Sequence, residues 1–246
     1  MNQDEFEAME MGGSGKWWYK AREELLQREL SALSTNNSSL KILDLASACG
    51  GNFPICSKHG RVFGLDLSWQ SIEICKNKSI KDLVQADAQK LPFADNSMDV
   101  VVALDVLEHL ENDLESMHEV ARVLSKEGVF IFNTPALMQL FSYHDLAFHH
   151  FRRYSATELK SKLITANFKV NLLTYWSFFM LPIVYLFRKI RGACISSDKP
   201  SSDFQIKIPL FVDNIFRFFS KIELYLLKRQ LSLPVGVSLF GTARKG

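Results

Sequence analysis

This 246-residue sequence predicts a three-layer α/β fold, a mostly parallel sheet covered by helices on both faces. Three observations predict it. Short apolar, β-favouring runs recur along the chain, and helix-period segments separate them. The first run ends in a carboxylate followed by a turn of small residues, DLASACGGNF at 44–53. Strand, helix, strand at that tempo makes crossover units, which place a parallel sheet between two helical layers.

In chain order, GKWWYKAREELL at 15–26 predicts a helix ahead of the sheet, within an N-terminal helical cap over 1–37. Strands follow at 40–45 (LKILDL), 61–67 (RVFGLDL), 82–85 (DLVQ), 98–104 (MDVVVAL) and 128–132 (GVFIF). The segments SWQSIEICKNKSI and NDLESMHEVARVLSKEG read as intervening helices. After Pro135 come a helix at 155–166 and a strand at 168–174, and VGVSLFGTARKG is the last strand. About sixty residues separate those two strands, and a gap of that length in a compact domain is functional or a subdomain. The expected organisation is therefore a domain over 38–246 with a helical insertion at about 176–233. Within the insertion SSDKPSSD, at 196–203, is the expected flexible linker.

With 47% hydrophobic and 23% charged residues, the composition excludes a disordered chain or a fibre. The net charge of +2 leaves no nucleic-acid footprint. It is uneven, however: residues 1–175 hold 18 Lys and Arg against 23 Asp and Glu, a balance of −5, whereas 176–246 hold 11 against 4, a balance of +7. Cys49, Cys56, Cys75 and Cys194 form no CxxC pair and no zinc-spaced cluster, so a reducing, cytoplasmic location is expected. The acidic start, MNQDEFEAMEM, lacks the order of a signal peptide, and the sequons at Asn36, Asn37 and Asn77 are expected to be unglycosylated.

In an open α/β sheet, ligands sit beyond the carboxyl ends of the strands, where small residues let the backbone come close. The 44–53 turn is thus a cofactor loop. Asp66 ends the second strand twenty positions after Ala46, the spacing at which a carboxylate meets ribose hydroxyls. Asp87, in QADAQKLPF, can accept from an adenine amine after the third strand. Taken singly, a small-residue turn is ordinary and an Asp is more often a helix cap; in this order they describe an adenosine pocket. A nicotinamide dinucleotide would need GxGxxG for its pyrophosphate, which this chain lacks.

The series ILDLASACGG, GLDLS, QADAQKLPF, SMDVVVALDVLEHL and VFIFNTP resembles the class I S-adenosylmethionine-dependent methyltransferases. The resemblance implies a Rossmann-like, seven-stranded sheet whose last strand is antiparallel, and S-adenosyl-L-methionine as cofactor. It implies that Asp44 and the loop of Ala46, Ala48 and Gly50 hold the methionyl end, Asp66 and Leu67 the ribose, and Asp87 and Ala88 the adenine. Leu104 and Asp105 would line the floor. Where that family usually has GxGxG, this chain carries Ala46, Ala48 and Gly50. Either the loop shifts, helped by Gly51, or the cofactor binds weakly; a catalytically silent partner or regulator of the same fold is the alternative function.

Three clusters can serve the methyl acceptor. Trp18 and Arg22 sit on the first helix, among Trp17 and Tyr19, and resemble aromatic caps of related enzymes; the bland reading is a helix docked by its aromatic face. Asp105, Glu108 and His109 occupy i, i+3 and i+4 of an incipient helix and share a face. A similar set is tied to a divalent metal in some quinone-directed O-methyltransferases, but structural hydrogen bonding is the cheaper reading, so no metal is expected. The third cluster, SYHDLAFHHFRRYSATEL, offers His144, Arg152, Arg153 and Tyr154 as acceptor contacts, the paired arginines suiting a phosphate or carboxylate. His149 and His150 here, and His109 before them, are the candidate bases for a hydroxyl acceptor. The fourth strand leads into LDVLEH rather than a base-gripping Asn/Asp-Pro-Pro loop, which argues against nucleic acid.

In the insertion, YWSFFMLPIVYLF at 175–187 is too short to span a bilayer. Downstream, Phe211, Ile215, Phe219, Ile222 and Leu226 share one helical face, with Arg217, Lys221 and Lys228 around it. A basic amphipathic helix lies on anionic membranes or caps a pocket, so a small or lipid-linked acceptor, methylated at oxygen, with peripheral membrane contact through 176–233, is expected.

Overall fold

The computed structural model describes residues 17–34, 39–194, 210–229 and 231–246. The N-terminal acidic stretch, the sequons at Asn36 and Asn37 and the linker at 196–203 lie outside them. Seven strands form one sheet: β1 (Leu40–Leu45), β2 (Gly60–Asp66), β3 (Leu83–Gln85), β4 (Met98–Leu104), β5 (Leu124–Pro135), β6 (Phe168–Trp176) and β7 (Ser238–Lys245). Their order is β3-β2-β1-β4-β5-β7-β6. β1 to β5 are parallel, and β7 runs antiparallel between β5 and β6. Reversal of order at β1, between β2 and β4, is the switch point where the carboxyl ends open a crevice.

The helices are α1 (Trp17–Ser34), α2 (Phe53–Cys56), α3 (Trp69–Asn77), α4 (Asp113–Val123), α5 (Tyr143–Ala147), α6 (Ala156–Thr165), α7 (Leu181–Cys194) and α8 (Leu210–Lys228). Strands such as Val100–Leu104, buried along their whole length, separate two cores. On one face Met117 and Val120 of α4 and Leu159 and Leu163 of α6 meet Leu43, Val101, Phe130 and Phe132. On the other, Leu25, Leu26 and Leu30 of α1 and Leu224 and Leu227 of α8 meet Ile42, Val102 and Ile131. Alternation of side chains along each strand puts odd and even residues into different cores.

Three expectations need correction. The first helix is a layer of the sheet rather than a separate cap, because its Ala21-Leu25-Leu26-Leu30 stripe is buried. α4 stops at Val123, and LSKEG belongs to β5, where Leu124 pairs with Met98 before a register shift brings Val129 opposite Val100. The apolar stripe assigned to the last helix is not its most buried face: Ser220, Glu223, Leu224 and Leu227 are buried, while of the stripe Phe219, Ile222 and Leu226 are half-buried and Ile215 is exposed. α1 and the sheet take the 220–227 side, and Glu223 turns in to accept the backbone N–H groups of Ser177 and Phe179 at 2.6 and 3.0 Å. The side chain of Phe211 lies outside the described residues.

A candidate cofactor and acceptor site at the carboxyl edge of the sheet

β1 delivers Asp44 to the crevice fully buried. Its Oδ1 accepts from Asn52 Nδ2 at 2.9 Å, and Oδ2 is buried without a hydrogen-bond partner. Burial raises its pKa from the usual carboxylate value to about 7. Ala46, Ala48 and Gly50 follow with φ of 54°, 44° and 75°. All three positions of the small-residue pattern take the left-handed backbone, two of them with a methyl group. At Gly50 a Cβ would sit 2.6 Å from Ile80 Cδ1 and 3.3 Å from Cys75 Sγ, so a methyl group there would push those side chains aside as well as bear the left-handed backbone. Ala46 and Ala48 each bear a left-handed conformation that costs a non-glycine residue roughly 1–2 kcal/mol. Ala46→Gly and Ala48→Gly are expected to stabilise the fold by about 0.5 kcal/mol each, after the extra unfolded-state entropy of glycine is subtracted. Denaturant unfolding checks this; a loss of stability in both would mean the methyl groups are packing contacts.

Asp66 ties the loop to β2. Its Oδ2 accepts Ala48 N–H and its Oδ1 accepts Ser68 N–H, both at 2.9 Å, while Ser68 caps α3. Leu67 projects into solvent, 68% exposed, beside it. Asp87 is exposed after β3, accepting Gln89 N–H at 2.8 Å, with Ala88 buried behind it. These side chains form a line along the ends of β1, β2 and β3.

At the end of β4, Leu104 is buried and Asp105 takes φ 58°, which turns its carboxylate across the crevice. Arg22 Nη1 donates to Asp105 Oδ2, and Asn133 Nδ2 donates to Oδ1. Trp176 Nε1 donates to Asn133 Oδ1 at 2.8 Å, and the Trp176 ring stacks on Trp18 with centroids 5.6 Å apart. The Arg22 guanidinium lies 5.0 Å over the rings of both Trp18 and Tyr19. So α1, β4, β5 and β6 meet in one aromatic, charge-balanced wall. Asn133 and Trp176 were not anticipated; the signal for Asn133 was a lone amide ending the apolar run VFIF.

The segment after β5 differs most from expectation. Tyr154 is fully buried and donates to Asp113 Oδ2 at 2.6 Å, so it braces α4 rather than an acceptor. Arg153 is buried with its Nε on Asp145 Oδ1 at 2.7 Å and its Nη1 on the Ala136 carbonyl. Arg152 reaches the Glu111 carbonyl and Asp113. The two arginines thus point to different internal carboxylates and do not form a paired anion grip, because adjacent residues leaving a strand-like segment project oppositely. His149 is exposed on a left-handed turn, whereas His150 points inward. His144 packs its ring 4.9 Å from Phe148, and burial lowers its pKa to about 3. Glu108 and His109 come together with His150, and Asp105 is not among them. The expected Asp105-Glu108-His109 face is replaced because a 3₁₀ turn at Leu107–His109, not an α-helix, follows Asp105.

A seven-stranded sheet of this order, with its open crevice beside β1, is the fold of the class I S-adenosylmethionine-dependent methyltransferases. Residues 43–132 match the family described as Methyltransferase domain. A relative from Mycolicibacterium smegmatis, named "Probable S-adenosylmethionine-dependent methyltransferase", is 29% identical over 161 residues, covering 63% of this chain and 60% of that one. A demethylmenaquinone methyltransferase of Staphylococcus haemolyticus is 38% identical over 77 residues, 30% of this chain and 32% of the relative. The crystal structure of an S-adenosylmethionine-dependent methyltransferase from Mesorhizobium loti superposes with a TM-score of 0.58 at 17% identity, covering 89% of this chain and 96% of that one. The chain spans less than two thirds of the length of these curated relatives. Residues 43–132 thus carry the match to a methyltransferase domain, on a fold shared with the class I S-adenosylmethionine-dependent enzymes, and S-adenosyl-L-methionine is the cofactor of that class.

Proposed function

We propose that the protein transfers a methyl group from S-adenosylmethionine to the oxygen of a small lipophilic or lipid-linked acceptor. The observation that carries the reading is Asp44 Oδ2, buried and unpartnered beside three left-handed loop residues. A cationic ammonium supplies what that oxygen lacks, and an uncompensated buried polar atom is costly. Asp44 and the 46–50 backbone then hold the methionyl end, Asp66 and Leu67 the ribose, Asp87 and Ala88 the adenine, with Leu104 and Asp105 as floor. Because the left-handed backbone survives at Ala46 and Ala48, a silent regulator has less to recommend it.

When bound, S-adenosylmethionine would supply a sulfonium methyl for in-line transfer to the acceptor oxygen, with S-adenosylhomocysteine as the leaving product and the hydroxyl proton lost to a base at the crevice. Most of the rate in such an in-line displacement comes from alignment. Trp18 and Arg22, anchored to Trp176 and Asp105, wall off the crevice from the α1 side. Of the three histidines, His109 and His150 face inward, His150 being oriented through Asp145, while His149 is exposed.

An apolar acceptor suits the insertion. α7 presents Ile183, Leu186, Phe187 and Ile190 outward at i, i+3, i+4 and i+7. Between α7 and the 139–146 segment lies a groove of about 510 Å³. No helix among the described residues is long and apolar enough to cross a membrane, and contact through the insertion would be interfacial. The S. haemolyticus relative is named for demethylmenaquinone, in keeping with a lipophilic acceptor.

Two measurements test this. Asp44 must ionise to face an ammonium, and its carboxyl is half protonated at about pH 7. Cofactor affinity is therefore expected to rise roughly tenfold from pH 6 to 7.5, and Asp44→Asn to abolish that rise, by calorimetry. With labelled donor and vesicles of total lipid extract, label is expected in the organic phase. Label confined to water-soluble products removes the lipophilic acceptor, and no heat with cofactor removes the reading altogether.

A further inference from the structure

We infer that Glu108, His109 and His150 form a binding site for one divalent transition-metal ion, zinc being the best suited. Their candidate ligand atoms all lie within 4.8 Å of one another, although the residues come from two segments some forty positions apart. The two imidazole rings meet edge to face with centroids 4.6 Å apart. A tetrahedral zinc with bonds of about 2.1 Å sets ligand atoms roughly 3.4 Å apart, so side-chain rotations of about 1 Å close the site.

The surroundings already hold each ligand by its other end. His150 Nδ1 lies 3.0 Å from Asp145 Oδ1, which leaves Nε2 for the gap. A backbone hydrogen bond with Phe148 occupies one nitrogen of His109. Glu108 is fully buried; Thr134 Oγ1 donates to its Oε2 at 3.1 Å, while its Oε1 is buried without a hydrogen-bond partner. Carboxylate or carbonyl partners on the far nitrogen are how metal-binding imidazoles are oriented. Arg153 is the neighbouring positive charge, but Asp145 is paired with it.

Asp105 is no ligand here, because its carboxylate is taken by Arg22 and Asn133. Two imidazoles and one carboxylate leave a position open for a water or an acceptor oxygen, whose hydroxyl the ion would acidify. That role rests on the methyl-transfer reading; the binding does not.

The test is zinc titration of the full-length protein after chelator treatment, with cobalt(II) absorption as a second readout of ligand type. About one zinc per chain is expected, with His150→Ala and the isosteric Glu108→Gln each weakening binding by roughly a hundredfold. Cofactor calorimetry on the same metal-free samples reports separately on the methyl-donor site and on folding. No zinc bound at micromolar concentration, or equal binding by wild type and both ligand variants, overturns the inference.

Discussion

Asp66→Asn is expected to weaken cofactor binding by about a hundredfold or more. Both carboxylate oxygens already accept a backbone N–H, from Ala48 and from Ser68, each at 2.9 Å. Under the proposed reading, vicinal ribose hydroxyls would donate to their remaining lone pairs. An amide keeps one acceptor oxygen and turns an NH₂ toward either Ala48 N–H or Ser68 N–H, a donor against a donor. Charge-assisted hydrogen bonds are worth about 1.5–3 kcal/mol each, so losing two costs roughly 3 kcal/mol or more, over a hundredfold in affinity. The loop loosens as well, because Ala48 N–H is one of its two ties to β2 beside Ser47 N to the Leu65 carbonyl. Calorimetry with S-adenosylmethionine and S-adenosylhomocysteine measures the loss. Undiminished affinity in the variant would put the nucleoside elsewhere. Asp87→Ala should cost less, since that side chain is exposed and its competing solvent is strong.

The largest effect on stability is expected at Asp145. This carboxylate is fully buried and meets His150 Nδ1 at 3.0 Å, Arg153 Nε at 2.7 Å and Arg188 Nη1 at 3.4 Å. Burial alone would raise its pKa, but the His150 hydrogen bond and the charges of Arg153 and Arg188 outweigh it and hold it well below the usual carboxylate range. Asp145→Ala leaves Arg153 buried and uncompensated, a change that typically costs about 3–5 kcal/mol. In a chain of this size that is roughly 6–20 °C in Tm. Since its folded pKa is depressed, its stabilisation is full above the unfolded value near 3.8 and fades as pH falls below it. Thermal unfolding of wild type and variant from pH 3 to 7 checks both statements: the gap should be widest at neutral pH and narrow in acid. A gap that does not narrow would mean that Asp145 acts through packing and not charge.

The strand-end acids show how far a sequence reaches. Asp44, Asp66 and Asp87 are legible because each ends an apolar run, and strand ends in a parallel sheet share one edge. Ala46 and Ala48 marked a departure from glycine, yet only backbone angles could say that the loop keeps its left-handed path. At the other extreme, the His- and Arg-rich run at 144–154 announced polar chemistry without saying with whom. Arg153 pairs with Asp145 eight residues away, but Tyr154 reaches Asp113 over forty-one, and His150 closes on Glu108 and His109 over a similar distance.

What the sequence by itself determined is the alternation of strands and helices and the row of carboxylates at the crevice, because period and turn chemistry are local properties of consecutive residues. The tertiary structure alone decided that α1 is part of the core, that α8 turns its Leu224–Leu227 side inward, and that Arg22 rather than Glu108 keeps company with Asp105. Each of those depends on which distant surface competes for a given side chain, and no pattern in neighbouring residues encodes that competition.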